Sequence, residues 1–468
     1  MAQADWLGDL RRLGELTGVG CRYLAMRRRA HWTRDRLEAY RQRRLLDLLA
    51  HTVARSPFYR KLYERIRIDE TLDVRALPVI SKRDLLDHFD EVVTDPRLKR
   101  AEVERYLEAA PPDRDDAYLD RYRVLATAGT TGLRGLFLFD RAEWTAELAN
   151  VLRWFDIIGV RPRPFGRLKI SVVGAPSTVH VSRRLPLSGE FGLFRLQHLA
   201  VTSGLDQIVD ELNRFAPDIL LAYPTVARLL AIEQQQGRLS IWPSIVSTHS
   251  ELLTPQTRRL IRAAWRVSPF DHYGLTEITT VAVECAEHRG LHLLDDLFIA
   301  EIVDDRYEPV APGQAGSRLL LTSLVRRAQP LIRYEVSDRL RLSPEPCPCG
   351  RPFPLVAEIG GRSEEWLSLP GRSGPVVISP LVLSATLEEI AGLQEFALHW
   401  DGSTLKVTVV PASRPSLRGE VEARLRSTLA AMGADRTEIL VSLAEHIARR
   451  AERMGKVRML ETVPPGEP

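Results

Sequence analysis

A turn rich in glycine and threonine, at residues 124–135, is the first part of the sequence whose composition suggests chemistry. Three glycines and three threonines fall within its last nine residues. Glycine lets the backbone approach an anion closely, and backbone N–H groups together with threonine hydroxyls can bind phosphate oxygens. The turn lacks the GxxxxGK(S/T) pattern of a Walker A loop. By itself it indicates either a phosphate-binding turn or a flexible surface loop, and its candidate ligands are Thr127, Gly129, Thr130, Thr131 and Gly132.

Cysteine and histidine residues form the second candidate site. Cys285 precedes His288 and His292, and Cys347 and Cys349 follow in a Cys-Pro-Cys-Gly knuckle. Such a knuckle presents two thiolates to one point, and a third cysteine with one histidine can complete a tetrahedral zinc site. We therefore predict structural Zn²⁺ bound by the three cysteines and either histidine. The alternative is a set of buried, reduced cysteines beside solvent-exposed histidines.

The patterns around these residues predict the elements that position them. Residues 1–65 space apolar residues three and four apart, which is typical of helices. From about residue 120, strand-length apolar stretches alternate with amphipathic helices, which favours a mostly parallel sheet with helical crossovers. Residues 77–80 resemble a short strand, and Ser81 is expected to cap the helix after it. Residues 296–342 indicate a small β-rich subdomain, and mixed α+β structure follows residue 362. The alternation of strands and helices makes α/β the predicted fold class.

Composition bounds the possible functions. The chain has 468 residues, of which 44% are hydrophobic and 27% are charged, as expected for a globular protein of about three domains or subdomains. Its 65 basic and 61 acidic residues give a net charge of +4, which offers no case for nucleic-acid binding. No apolar run approaches the roughly 18 residues that span a bilayer, so a cytoplasmic location without a transmembrane segment is expected. Only six of the basic residues are lysines.

Five sequence blocks occur in a distinctive order. They are the turn at 124–135 and residues 271–277, 332–338, 359–365 and 453–458. Together they resemble the adenylate-forming superfamily, which includes acyl-CoA synthetases, the adenylation domains of peptide synthetases and luciferases. Within it, the sequence is most similar to the phenylacetate–CoA ligases and their relatives. The resemblance extends from about residue 120 to about residue 460.

The resemblance implies a role for each block in binding ATP. The turn would hold the β- and γ-phosphates, and Thr276 would contact the α-phosphate. Glu277 would bind Mg²⁺, whose charge offsets the charge that develops on the phosphoryl oxygens. Tyr273 and Gly274 would lie near the adenine. An ionised Asp338 would accept hydrogen bonds from the ribose hydroxyls, and Arg362 would lie near the ribose or the phosphates.

The resemblance also implies two domains that move relative to each other. Residues 1–363 would form the large adenylating domain, and residues 364–468 a smaller, mobile α+β domain. Glu364 falls at the hinge position, where relatives more often have Asp. Lys456 would reach from the small domain to the carboxylate and the α-phosphate in the transition state.

Two stretches depart from the family pattern. Residues 247–251 are Ser-Thr-His-Ser-Glu where relatives usually have smaller residues. Residues 366–383 differ from the sequence that relatives usually have after the hinge. The second departure makes thioester formation less well supported than adenylation. The candidate walls of the acid pocket are Gly174, Tyr223, His249 and His272.

The leading hypothesis is that the protein is an acid–CoA ligase, which adenylates a carboxylic acid and then transfers the acyl group to CoA. The resemblance favours an aryl or arylacetic acid. The expected partners are ATP, Mg²⁺, the acid and CoA, and a homodimer is the default expectation. Three alternatives stay open. The acyl-AMP can pass to an amine or a carrier protein, the enzyme can transfer AMP to a hydroxyl of a cofactor or sugar, or the protein can be a non-catalytic binding protein.

Overall fold

The computed structural model describes residues 6–109, 117–127, 135–161, 166–188, 194–362, 366–372, 374–378, 380–411, 417–447 and 460–462. Its helices are α1 (Trp6–Arg29), α2 (Arg34–Arg55), α3 (Pro57–Leu62), α4 (Lys82–Asp87), α5 (Phe89–Val92), α6 (Arg100–Glu108), α7 (Arg141–Ile157), α8 (Val181–Ser188), α9 (Leu205–Phe215), α10 (Pro224–Gln235), α11 (Pro255–Trp265), α12 (Pro380–Glu388) and α13 (Leu417–Ala431). Ser81 caps α4 in a capping box with Asp84, as predicted. None of the described helices is long and apolar enough to cross a membrane.

The strands follow in chain order. They are β1 (Arg123–Ala126), β2 (Leu136–Phe139), β3 (Leu168–Gly174), β4 (Phe194–Ala200), β5 (Ile219–Ala222), β6 (Ile245–His249), β7 (Phe270–Tyr273), β8 (Ala282–Glu284), β9 (Leu291–Leu293), β10 (Phe298–Val303), β11 (Arg318–Ser323), β12 (Tyr334–Val336), β13 (Asp338–Leu342), β14 (Leu355–Arg362), β15 (Leu367–Gly371), β16 (Gly374–Ile378), β17 (Leu393–Trp400), β18 (Thr404–Pro411), β19 (Glu438–Leu443) and β20 (Leu460–Thr462).

The largest sheet has the strand order β13-β14-β9-β8-β7-β6-β5-β3-β4. The pairs from β7 to β4 are parallel, which confirms the predicted helical crossovers. The pairs from β13 to β7 are antiparallel, so the sheet is mixed rather than mostly parallel. The sequence misjudged this half because β13 and β14 join the sheet through pairings between residues far apart in the chain.

Both faces of the parallel half are covered by helices. Val172 packs in the core that includes residues of α1, α2 and α7, whereas the next residue, Val173, packs in the core that includes residues of α9, α10 and α11. Leu221 and Leu220 divide between the same two cores. Successive strand residues point to opposite faces, so a strand buried on both sides is apolar at every position.

Smaller sheets complete the large part of the chain. β1 and β2 form an antiparallel pair, and β10, β11 and β12 form an antiparallel sheet. This three-stranded sheet corresponds to the predicted β-rich subdomain, except that β13 belongs to the largest sheet. Residues 77–80 do not form the predicted strand, because Ile80 makes only an isolated bridge with Tyr334.

The C-terminal part has a separate hydrophobic core, built from residues between Leu367 and Val441. It contains the sheet β19-β18-β17-β20, the pair β15-β16 and the helices α12 and α13. This mixed α+β arrangement agrees with the sequence pattern. The domain boundary at residues 363 and 364 lies outside the described residues and stays a prediction.

Candidate active site

The glycine- and threonine-rich turn connects β1 to β2, and its two ends are described. The N–H of Thr127 donates to the carbonyl oxygen of Gly135 over 3.0 Å, and the N–H of Gly135 donates to Oγ1 of Thr127 over 2.8 Å. These two hydrogen bonds close the neck of the turn. The other predicted phosphate ligands lie outside the described residues, and their role stays a prediction: Gly129, Thr130, Thr131 and Gly132.

Tyr273, at the end of β7, contacts Asp338, the first residue of β13. The Tyr273 hydroxyl donates a hydrogen bond to the Asp338 carboxylate, and Asp338 is buried. Asp338 also lies opposite Arg362 in the antiparallel pairing of β13 with β14. The fold therefore brings together three positions that the sequence assigned to the adenine, the ribose and its surroundings.

The segment after β7 contains Thr276 and Glu277, each of which is 9% exposed. The Tyr334 hydroxyl donates to Oε1 of Glu277 over 3.1 Å, and the buried guanidinium of Arg326 donates to the Glu277 backbone carbonyl over 2.8 Å. The first bond orients the carboxylate, and the second fixes the backbone of the residue that carries it. A Cβ at Gly274 would collide with the backbone carbonyl of Thr279, so only glycine fits at this bend.

An apolar pocket opens beside this segment. It lies between α7, α8 and strands β3, β4 and β5, and the pocket and the open solvent at its mouth together span about 900 Å³. Its apolar lining residues include Leu148, Val151, Trp154, Phe155, Val172, Leu185 and Phe194. Gly274, Thr279 and Thr280 also line it, so the pocket reaches the segment that holds Glu277. None of its described lining residues is Asp, Glu, Lys or Arg.

His249 and His272, both predicted pocket residues, line this cavity. Burial lowers the pKa of His272 to about 4, so its ring is neutral at neutral pH. Nε2 of His272 lies 3.1 Å from the Thr280 hydroxyl, and its ring packs on Trp154 with the centroids 4.5 Å apart. The neutral imidazole therefore adds a polar atom to the pocket without adding a charge.

The other two predicted pocket residues lie behind the lining. The Tyr223 ring packs against His249, with the centroids 5.2 Å apart, and its hydroxyl lies 3.3 Å from Oγ of Ser182. A Cβ added at Gly174 would meet the same Ser182 oxygen at 3.4 Å. Ser182 itself lines the pocket, so Gly174 and Tyr223 support the wall without forming its surface.

A cluster of three cysteines and one histidine lies beyond β8 and β9. The ligand atoms of Cys285, His292, Cys347 and Cys349 all lie within 4.8 Å of one another. The two Sγ atoms of Cys285 and Cys347 are 3.7 Å apart, and Sγ of Cys349 is 3.2 Å from Nε2 of His292. Burial lowers the pKa of His292 to about 4, which favours the neutral imidazole that binds metals.

His288, the alternative histidine, lies outside this cluster. Its Nδ1 is 3.3 Å from the Glu284 carboxylate, and its ring packs on Phe270 with the centroids 4.8 Å apart. His292 is in β9 and paired with Val283 of β8, whereas His288 is in the turn between these strands, with a φ of 49°. Of the two histidines that the sequence left open, the fold directs His292 toward the cysteines.

Buried polar contacts join the C-terminal part to α10 and α11. The Arg228 guanidinium donates to the backbone carbonyls of Leu393 and Gln394, and the bond to Leu393 is 2.6 Å long. The Glu388 carboxylate accepts a hydrogen bond from the Thr254 hydroxyl. A domain movement of the predicted kind has to break these contacts. The predicted hinge residue Glu364 and the predicted catalytic Lys456 both lie outside the described residues.

Sequence reasoning missed two features of the site. The first is the contribution of α7 to the pocket. The buried residues of α7 lie on several faces of the helix, and the weak sequence signal is the matching spread of its apolar residues. The second is Lys82, whose Nζ lies 3.2 Å from Oγ1 of Thr127. The scarcity of lysine applied to all six lysines and did not single out Lys82, because 45 residues separate it from Thr127 and nothing local links them.

Solved structures identify the class of this fold. No family model matches the chain. The chain has the fold of the adenylate-forming CoA ligases. A 2-hydroxyisobutyryl-CoA ligase in the postadenylation state, in complex with an acyl-AMP, is 20% identical, with 93% of this chain and 91% of that chain covered and a TM-score of 0.73. An anthranilate CoA ligase in complex with anthranoyl-AMP is 16% identical, with 71% and 65% covered and a TM-score of 0.53.

The curated proteins that are similar in sequence include phenylacetate-coenzyme A ligases of three bacteria. The phenylacetate-coenzyme A ligase of Thermus thermophilus is 27% identical over 452 residues, which cover 93% of this chain and 94% of the relative. The phenylacetate-coenzyme A ligase of Pseudomonas putida is 27% identical over 402 residues, with 80% and 81% covered, and that of Escherichia coli is 26% identical over 390 residues, with 78% of each covered. The resemblance to phenylacetate–CoA ligases that the five sequence blocks predicted is confirmed.

Proposed function

We propose that this protein is an ATP-dependent acid–CoA ligase whose acid has an apolar body. In the first step a carboxylate oxygen attacks the α-phosphorus of ATP, an acyl-AMP forms and pyrophosphate leaves. In the second step the CoA thiol attacks the acyl carbon, a thioester forms and AMP leaves. The observation that carries the proposal is the position of the pocket, whose residues Gly274, Thr279 and Thr280 come from the segment that also holds Glu277.

The nucleotide-binding residues keep the roles that the sequence assigned to them, as part of this proposal. The turn that begins at Thr127 binds the β- and γ-phosphates, and Thr276 contacts the α-phosphate. Asp338 accepts hydrogen bonds from the ribose, beside Tyr273. The Glu277 carboxylate suits Mg²⁺, because this cation prefers oxygen ligands and uses only one or two carboxylates. The Tyr334 hydroxyl orients the carboxylate and Arg326 fixes the backbone of Glu277 before the metal arrives.

The pocket supports an aryl or other apolar acid. Its described lining contains no Asp, Glu, Lys or Arg, so an ammonium or a second carboxylate would meet none of these side chains as a charged partner there. Burying such a charge without a partner is strongly unfavourable. We therefore expect acids of the phenylacetate type to be accepted and amino acids to be rejected.

The Cys/His cluster supports structural zinc. In a tetrahedral site with Zn–S bonds of about 2.3 Å, two sulfur atoms lie about 3.8 Å apart. The 3.7 Å separation of the Cys285 and Cys347 sulfurs fits this value, and three cysteines with one histidine form a closed ligand set. The metal ties the loop before β14 to β8 and β9, away from the pocket, so its role is in stability. The cytoplasmic location and the homodimer stay predictions.

The test is acid-dependent ATP–pyrophosphate exchange with a panel of acids. Phenylacetate, benzoate and hexanoate are expected to support exchange. The matched pair 3-phenylpropanoate and phenylalanine differs only in the ammonium group, and we expect at least about 100-fold less exchange with phenylalanine. Detection of the CoA thioester by mass spectrometry then tests the second step. Exchange that requires an added hydroxyl compound instead of an acid would favour transfer of AMP to a hydroxyl, and equal use of both members of the pair would contradict the assignment of the pocket.

A pocket-filling variant tests the location of the acid. Val151 lines the pocket from α7 and is partly buried, so Val151→Phe reduces the space without adding charge. We expect the ratio of phenylacetate to acetate activity to fall, because the smaller acid does not need that space. The acetate rate serves as the internal control, and an unchanged ratio would place the acid elsewhere.

A further inference from the structure

The acid pocket has polar side chains at one end and apolar side chains at the other. His249 is the last residue of β6, and His272 lies one residue before the end of β7. Ser182 lies beside Gly174, the last residue of β3. These polar lining residues therefore form a rim at the carboxyl ends of the parallel strands.

The lining residues that lie farther back along the strands are all apolar. They are Ile170 and Val172 of β3, Phe194 and Leu196 of β4, and Leu221 of β5. An acid whose carboxylate stays at the rim, beside the segment that holds Glu277, therefore has to place its body along these strands. A polar substituent in the body would lose its hydrogen bonds to water and meet only apolar side chains there.

The strand register gives the depth of the pocket. Ile170 of β3 pairs with Ile219 of β5, and Ile219 pairs with Ile245 of β6. His249 follows Ile245 by four residues on β6. At about 3.3 Å per residue, the rim and the level of Ile170 are therefore separated by about 13 Å.

A run of aromatic rings connects the rim to the far end of the pocket. The ring centroids of His272 and Trp154 are 4.5 Å apart, those of Trp154 and Phe155 are 5.1 Å apart, and those of Phe155 and Phe194 are 5.7 Å apart. All four residues line the pocket. Phe155 and Phe194 are nearly buried and meet edge to face, so they bound the pocket at the end away from the rim.

A single aromatic ring does not fill this depth. An extended peptide residue has three backbone bonds and advances about 3.3 Å, so a saturated carbon chain of similar bond lengths needs about twelve bonds to cover four residues. Phenylacetate has one methylene and one ring, and with carbon–carbon bonds of about 1.5 Å it covers about half of the depth. The contacts that the remaining apolar wall offers are gained only by a longer acid.

We infer that the preferred substrate is an elongated monocarboxylic acid with an apolar body of about ten to twelve carbons. Its far end lies between Ile170, Leu196 and Phe194. This inference deepens the proposed function and rests on it, since it requires that the pocket holds the acid. A fatty acid and an alkanoic acid that ends in a phenyl ring share this chemistry, and the experiment separates them.

The experiment measures kcat/KM of acid-dependent ATP–pyrophosphate exchange for two series of acids, each below the concentration at which it forms micelles. One series is hexanoate, octanoate, decanoate, dodecanoate and hexadecanoate, and the other is phenylacetate, 4-phenylbutanoate and 6-phenylhexanoate. We expect kcat/KM to rise about fourfold for each added methylene, because each one is buried against the apolar wall. The rise should end near dodecanoate, where the far end is reached.

The outcomes separate this inference from the proposed function. A rise in either series supports the inference, and the steeper series shows whether the far end takes a methyl group or a ring. Constant kcat/KM along both series, or maxima at hexanoate and phenylacetate, would overturn it while leaving the ligase activity in place. A protein that shows no exchange with any acid would instead refute the proposed function.

Variants at the far end test where the long acid lies. Leu196→Phe fills this end, so the ratio of dodecanoate to hexanoate activity should fall by about tenfold or more. Leu196→Ala enlarges the same end and should move the preferred length toward hexadecanoate. The matched control is Leu199→Phe, because Leu199 lies on the same strand but packs in the core on the opposite face of the sheet. It should keep the parent ratio.

Thermal unfolding of each variant checks that the fold is retained, and the hexanoate rate serves as the internal reference. A ratio and a preferred length that stay at the parent values in both Leu196 variants would overturn the inference. The same fall of the ratio in Leu199→Phe would overturn it as well, because the effect would then come from the fold of β4 and not from the pocket.

Discussion

The hydroxyl of Tyr273 donates a hydrogen bond to the carboxylate of Asp338, although β8, β9 and β14 lie between their strands in the sheet. In a flat sheet, strands four positions apart are separated by about 19 Å, which is much farther than a tyrosine side chain extends. The antiparallel half of the sheet must therefore twist and curl strongly toward β7. This curvature brings the adenine and ribose positions together.

Asp338→Ala is expected to weaken the binding of both ATP and AMP by about 10-fold or more, because the two nucleotides share the ribose and lose a charge-assisted acceptor. Tyr273→Phe should weaken binding by only about fivefold, since it keeps the ring and removes one hydrogen bond that orients Asp338. Equilibrium binding of both nucleotides measures the effect. The control is Tyr307→Phe, which removes a similar bond to Glu335 at the surface. Unchanged binding in Asp338→Ala would remove this residue from the ribose site.

Lys456→Ala is expected to nearly abolish acid-dependent ATP–pyrophosphate exchange and to leave nucleotide binding intact. The physical reason is that the ammonium contacts the α-phosphate and the carboxylate mainly in the transition state, where such a contact contributes on the order of 3 kcal/mol. Lys406→Ala is the matched control in the same part of the chain, because Lys406 pairs with Asp401 at the surface. Similar exchange rates in the Lys456 variant and the parent would refute the assignment.

The local elements were predictable from the sequence, whereas long-range pairings were not. The alternation of strands and helices after residue 120 was predicted, and β5 and α11 belong to it, because turn residues flank a strand-length or helix-length pattern in each case. By contrast, β13 was assigned to the wrong sheet, since nothing near Asp338 records that its partner is β14. The approach of Lys82 to Thr127 was invisible for the same reason.

The zinc ligand was left open because both histidines stand at plausible spacings from Cys285. Strand pairing decides between them, since it places His292 in β9 with its Nε2 3.2 Å from Sγ of Cys349. The acid pocket was predicted only in part for a different reason. Apolar residues of α7 are equally compatible with a solid core, and only their arrangement around an opening distinguishes a pocket from a core.

Removal of zinc is expected to lower the thermal stability of the protein without changing the pattern of acids used. A ligand that binds only the folded state, at 1,000 times its Kd, stabilises it by about 4 kcal/mol. Metal analysis should find about one zinc per chain. Cys347→Ser and His292→Ala should lose this zinc and melt at a lower temperature. The controls, Cys21→Ser and His288→Ala, change an exposed cysteine and the histidine outside the cluster. A parent protein without zinc would end the assignment.

The carboxyl of Asp271 is expected to make the protein less stable as the pH rises toward neutrality. Burial and, secondly, the charge of Glu284 raise the pKa of Asp271 to about 7. Between its unfolded pKa near 4 and this value, the unfolded chain has released the proton that the folded protein retains, so stability falls by about 1.4 kcal/mol per pH unit. Above pH 7 the loss is complete.

Asp271→Asn tests this expectation, because the amide keeps the oxygen that accepts hydrogen bonds from the Thr248 hydroxyl and the His272 N–H but does not titrate. The free energy of unfolding is measured by urea denaturation of the variant and the parent from pH 5 to pH 8. Relative to the parent, the variant should gain up to about 3 kcal/mol across this range. The titration of His272 acts in both proteins and cancels in the difference. Parallel stability curves would show that Asp271 is already ionised in the folded protein at pH 5, and that Arg258, which contacts Glu284 at 3.1 Å, outweighs the effect of burial.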